Sequence, residues 1–153
     1  MDNNNQQLFT KSGGKLLTFF LDDNEYGIQI LEAREVIELY KIDRVPRAPV
    51  FMKGVINLRG KITPVIDLKM IFGFNASKAG EKKSIIVVDF FDNLTGLIVD
   101  NLAGVLTVTK ENYEYSPKLG FNTNSDYIEG IVKLENRVIS VLAVANILKN
   151  TEL

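Results

Sequence analysis

The chain has 153 residues, 46% of them apolar and 24% charged, with 18 basic against 19 acidic side chains. That is the make-up of one ordinary globular domain, large enough to bury a core without staples. Cys, His and Trp are absent, which excludes disulfides, thiolate chemistry, zinc or haem held by Cys or His, and any imidazole base or phosphohistidine relay.

Residues 1–14 open on Met1, Asp2, three Asn and two Gln, neither basic nor apolar as a signal peptide would be. They read as a flexible tail ending at Gly13-Gly14, with order beginning at Lys15. No apolar run approaches the roughly 18–20 residues of a membrane span, so a cytoplasmic protein is expected. Leu16 to Leu21 is a strand by its apolar and aromatic content. It turns through Asp22-Asp23-Asn24-Glu25 and returns at Tyr26-Gly27-Ile28. Ile30 to Glu35 favours a short helix or helical turn, after which Val36-Ile37 restores strand propensity. Pro46 and Pro49 make Ile42 to Phe51 an extended loop.

Gly54–Leu58 and Lys61–Ile66 form a second hairpin around Arg59-Gly60, with Pro64 expected on an edge or at a bulge. Asp67 suits the N-cap of a short helix through Phe72, stopped by Gly73. Residues 76–83 are the linker candidate. Beyond them the plan repeats: strands Ser84–Phe91 and Gly96–Val108, a polar excursion from Lys110 to Asp126, a hairpin of Gly130–Leu134 and Arg137–Leu142, and a helix from Ala143 to Lys149. Residues 150–153 read as a C-terminal tail.

The 19 residues Gly54–Phe72 align without gaps on Gly130–Leu148, an offset of 76, with Gly54/Gly130, Leu58/Leu134, Val65/Val141 and Ile71/Ile147 identical. Gly27 matches Gly96 at an offset of 69. In the second copy Ala143 stands where Asp67 would cap. Each copy is near 70 residues, marginal alone, so two small β-barrel subdomains are expected on a shared core. Their approximate extents are 15–75 and 84–149, with crossing of the chain between them left open.

Asp67 reads as a cap. Asp89 and Asp100, the best remaining candidates for acid–base work, read as solvent-facing or bulge positions. No calcium loop, phosphate loop or dinucleotide fingerprint occurs, so the enzyme signal is weak and neither a metal nor a cofactor is called for. Between Arg34 and Lys61 seven basic residues face three acidic ones; a small barrel with such a face is the alternative reading, a nucleic-acid binder. Aromatics interleave poorly there, which favours a solvated or protein-facing surface. Ile42, Val45, Val50 and Phe51 either fold back over the end of the first barrel or form an apolar contact patch.

The run Phe51 to Leu68, with Asn57-Leu58-Arg59-Gly60 at its centre, closely resembles the signature of the CheW family of chemotaxis coupling proteins. Phe20–Ile30, Arg34-Glu35-Val36, Gly96–Asp100, Gly104-Val105-Leu106 and Gly130–Leu148 follow in the family's order, so the resemblance covers about Lys15 to Lys149. It implies a mainly β fold of two five-stranded SH3-like barrels with short helices. It also implies a non-catalytic adaptor, joining the cytoplasmic tips of chemoreceptors to the regulatory domain of the histidine kinase CheA. Membrane association is then indirect, through receptors. Family receptors dock in the groove between barrels, which carries over to Ile30, Ala33, Glu35 and Arg59, with Gly96 close by. Ala33 stands where a larger apolar residue is expected. Kinase contact carries over loosely to Ile42 and Val45.

Overall fold

The stretches that read as strands form them except at Asp100, Val108, Leu134 and Arg137, with Phe91 outside the described residues, and the crossing of the chain is where the architecture departs from sequential order. The computed structural model describes residues 8–9, 11–38, 41–74, 83–90, 92–115 and 125–151. The first half carries β1 (Lys15–Leu21), β2 (Asn24–Gln29), β3 (Ala33–Glu38), β4 (Met52–Leu58), β5 (Lys61–Asp67) and helix α1 (Leu68–Ile71). The second carries β6 (Ser84–Phe90), β7 (Asn93–Val99), β8 (Asn101–Thr107), β9 (Tyr113–Tyr115), β10 (Ile128–Lys133), β11 (Val138–Leu142) and helix α2 (Val144–Asn150). The linker expected at 76–83 lies outside the described residues, Lys83 excepted.

Two compact units result, but they are not the two sequence halves. The first falls within residues 1–19, 23–32 and 103–153, the second within 20–22 and 33–102. Their sheets have the orders β8-β1-β2-β11-β10-β9 and β3-β6-β7-β5-β4. The physical reason is an exchange of hairpins. β2 runs parallel to β11, with Gly27 opposite Val141, and β5 runs parallel to β7, with Val65 opposite Gly96. Gly27/Gly96 and Val65/Val141 are matched pairs of the repeat, so one contact is made twice, each time between different copies. A register shift falls at Met52/Gly54 in one hairpin and at Ile128/Gly130 in the other, again at matching positions. Both glycines have no room for a Cβ, which would run into the Asp43 carbonyl at Gly54 and the Tyr113 ring at Gly130. The repeat is therefore structural.

Each unit holds an apolar cluster. In the second it comprises Ile56, Leu58, Val65, Ile85, Val87 and Ile98. In the first it comprises Leu16, Val108, Val132, Ile139, Val141 and, unexpectedly, Leu8. Leu8 falls in the stretch that reads as a flexible tail, yet it is fully buried. The segment is tied down by its backbone: the Gly14 amide donates to the Leu8 carbonyl at 2.7 Å, and the Val108 amide to the Gly14 carbonyl at 2.8 Å. Leu8→Ala should cost about 2–5 kcal/mol, the usual loss for emptying a core leucine site. Urea denaturation checks this, and an unmoved midpoint would return the segment to a dispensable tail.

Other departures are local. Only Ile30–Glu32 is helical, as a 3₁₀ turn, and β3 starts at Ala33. The strand expected over Gly96–Val108 begins at Asn93 and is broken at Asp100 into β7 and β8. Pro64 is not on an edge, since β5 lies between β4 and β7, nor at the register shift, which falls opposite Val65 and Ile66; it is tolerated because the parallel ladder with β7 covers only Val65–Asp67. Asp67 caps α1 as expected, accepting from the Lys69 amide at 3.0 Å, while Ala143 makes no such bond at α2. At the C-terminal end Asn150 and Thr151 finish α2 rather than trailing off; Thr151 Oγ1 donates to the Ile147 carbonyl at 3.0 Å.

Candidate functional site

Arg59 sits where the β4–β5 hairpin must reverse in two residues. Arg59 and Gly60 both take positive φ, +51° and +87°, the mirror-image turn that suits the twist of a tight hairpin. The Gly60 amide donates to Asn57 Oδ1 at 2.9 Å and fixes the tip. The Arg59 side chain is thereby held out at 72% exposure.

Glu35 comes to it from β3, whose alternation leaves Arg34, Val36 and Glu38 exposed and Ala33, Glu35 and Ile37 half-buried. Both guanidinium amino groups of Arg59 donate to the Glu35 carboxylate, one of them at 3.3 Å. These bonds hold the Glu35 carboxyl below its usual range. A fork-to-fork pair of this kind fixes direction as well as charge.

Of the other residues carried over from the family, Gly96 lies in the interior of the second unit. A Cβ there would stand 2.8 Å from Ile85 Cγ2 and 3.3 Å from Val65 Cγ2, so the glycine lets β5 and β6 close over β7. Ala33 is half-buried at a register shift between β3 and β6. Ile30 is half-buried too, and belongs to the first unit.

The proline-bearing loop divides by residue between its two readings. Ile42 folds back onto the second unit's cluster, and Asp43 exchanges two backbone bonds of 2.8 Å with Val55. Val45 and Val50 stay out, 39% and 76% exposed.

The carboxylates considered for catalysis are engaged elsewhere. Asp89 accepts from Arg34 at 3.0 Å. Asp100, expected at a solvent-facing or bulge position, lies at the break between β7 and β8 and is buried beside Lys69 Nζ at 3.3 Å. Lys69 itself had no signal in the sequence. Among the described residues no group of three Asp or Glu side chains is placed to hold a metal, and no helix is long and apolar enough to cross a membrane. Within the basic segment Arg34, Lys53 and Arg59 each meet a carboxylate, of Asp89, Asp67 and Glu35. That neutralises much of the positive strip a phosphate backbone would need, and nothing supports the nucleic-acid alternative.

Comparison with known proteins covers the same ground. The model of the CheW-like domain matches residues 15–152. A chemotaxis protein CheW of Klebsiella aerogenes is 32% identical over 141 residues, 92% of this chain and 85% of that one. One from Bacillus subtilis is 35% identical over 133 residues, 86% and 85% of the two chains. In three dimensions the chain is similar to the crystal structure of the scaffolding protein TtCheW from Thermoanaerobacter tengcongensis, with a TM-score of 0.78 and 34% identity over 84% of this chain and 88% of that one.

Proposed function

We propose a mode of action from the premise that this chain belongs to the CheW-like domain family. Its mainly β fold of SH3-like subdomains is the family's, and its function is that of a chemotaxis coupling adaptor. In the finer reading it works in the cytoplasm without catalysing a reaction. It joins the signalling tip of transmembrane chemoreceptors to the regulatory domain of the histidine kinase CheA and reaches the membrane only through those receptors.

The observation that supports this best is the Glu35–Arg59 pair. An exposed guanidinium suits recognition of a carboxylate or of backbone carbonyls on a receptor. Its clamp to Glu35 means less side-chain freedom is lost on docking than for an unrestrained arginine. Ile30 and Ala33 supply apolar contact in this reading, and Gly96 serves by keeping β7 closely packed. The kinase side falls to Val45, on a loop anchored by Ile42.

Co-elution of the chain with a CheA regulatory domain and with a receptor-tip fragment tests the proposal. A complex with each is expected; no complex with either overturns it. Arg59→Glu places two carboxylates face to face at an exposed tip, so the fold should survive. Receptor-tip affinity should fall by at least about tenfold, the scale of a hot-spot residue, with kinase binding kept. Receptor binding unchanged in the folded variant would remove Arg59 from the site.

A further inference from the structure

The repeat places two equivalent strand pairs in the molecule, and they close differently. In the first unit the parallel ladder of β2 and β11 runs from Glu25 opposite Ile139 to Gly27 opposite Val141. Arg137 seals its open end, with Nε 3.1 Å and a terminal nitrogen 2.5 Å from the two Glu25 oxygens. In the second unit the ladder of β5 and β7 starts only at Val65 opposite Gly96. The offsets of 76 and 69 put Lys61 where Arg137 stands, Pro64 where Ser140 stands and Leu94 where Glu25 stands. Extended by one step, the ladder would run a bond from the amide of residue 64 to the Leu94 carbonyl, and proline has no N–H. The ion pair is missing as well. A cleft of about 410 Å³ opens there, lined by Lys61–Pro64 and Asp92–Thr95.

Backbone lines the walls of this cleft. Leu58 opposite Lys61 and Phe90 opposite Asn93 close their hairpins as hydrogen-bonded pairs. Alternation along an antiparallel ladder then turns the N–H and C=O of Ile62 away from β4 and those of Leu94 away from β6, both into the cleft. The Ile62 side chain is 69% exposed at the rim, and Lys61 and Asp92 set opposite charges among the lining residues.

We propose that this cleft docks an extended peptide segment of a partner protein. The segment enters as a short strand, exchanges main-chain bonds with Ile62 and Leu94, rests an apolar side chain on them and sets an acidic side chain against Lys61. Open strand edges call for this occupant. A helix has already spent its backbone groups on itself, and a nucleic acid would bring phosphates against Asp92.

The test selects phage-displayed random nine-residue linear peptides on the full chain. Counter-selection uses a variant zipped like the first unit, carrying Lys61→Arg, Pro64→Ser and Leu94→Glu. Enriched peptides should combine alternate apolar positions with an acidic residue and bind the zipped variant at least about tenfold more weakly. No enrichment, or equal binding to the zipped variant, overturns the proposal. Should the triple variant not fold, hydrogen exchange on the unaltered chain decides. The Ile62 and Leu94 amides should exchange faster than those of Ile66 and Ile98 and slow when a selected peptide is added; equal protection in the free chain means the cleft is closed.

Discussion

Lys69→Met should lower the unfolding free energy by about 3–5 kcal/mol, the scale for removing one partner of a buried ion pair. Lys69 lies in α1 with its side chain only 5% exposed. Its ammonium is 2.6 Å from Asp22 Oδ1 and 3.3 Å from Asp100 Oδ2. Burial alone would push the ammonium's pKa down, but the bonds and charges of the two aspartates outweigh it and hold the group above its usual value. The Asp22 amide also donates to Asp100 Oδ2 at 2.7 Å, and the Asp100 amide to the Phe20 carbonyl at 3.1 Å. The cluster therefore pins Phe20–Asp22 to the end of β7. Methionine keeps most of the apolar stem and removes the charge, leaving two carboxylates facing each other with Asp100 buried. Urea denaturation followed by far-UV circular dichroism measures the loss, since the chain has no Trp. Adding Asp100→Asn to the variant should recover part of it. A loss below about 1 kcal/mol would place the ammonium in solvent and refute the account.

Lys69 also shows where reading the sequence stops. A four-residue helix is too short to display a periodicity, so its buried face cannot be told from its exposed one. The matching Ala145 is exposed in α2, so the repeat does not mark the position as buried either. The Asp67 cap was legible because capping is decided within two residues, and so was the Arg59-Gly60 turn. The repeat was legible because 19 residues align without a gap, Gly54 on Gly130 among them. What was hidden is non-local. Gly27 meets Val141 across 114 residues, and no pattern inside either hairpin says which partner it takes. Leu8 was hidden for a different reason: one apolar pair, Leu8-Phe9, was outweighed by the Asn and Gln around it. The Glu35–Arg59 pair spans 24 residues, and only the family resemblance brought the two together beforehand.

The first unit should lose stability as the pH rises from about 5 to 9. Two carboxyls are drawn together there by one residue, Gln29. Gln29 Nε2 donates to Glu129 Oε2 at 2.7 Å, and the Gln29 amide donates to Glu32 Oε1 at 3.3 Å. Ser12 Oγ reaches Gln29 Oε1 at 3.4 Å and holds the side-chain amide in place. Burial, reinforced by the charge of Glu129, pushes Glu32 up to about 8. Burial pushes Glu129 up to about 7 against the bond from Gln29. Both start from an ordinary value of 4.5. Between that value and the raised ones the folded chain holds more protons than the unfolded chain, so stability falls with rising pH through this window. Raising a folded carboxyl's pKa by one corresponds to about 1.4 kcal/mol, so the loss is on the order of a few kcal/mol. Glu32→Gln keeps an acceptor for the Gln29 amide and cannot ionise. It should match the parent near pH 5, exceed it at pH 9 and flatten the profile between. Urea unfolding at pH 5, 7 and 9 is the measurement. A flat parent profile, or an unchanged slope in the variant, would mean that the two carboxyls ionise in contact with water. Glu32 closes the turn that opens at Ile30, one of the proposed receptor contacts, so loosening of this pair would reach the docking surface through three residues of backbone.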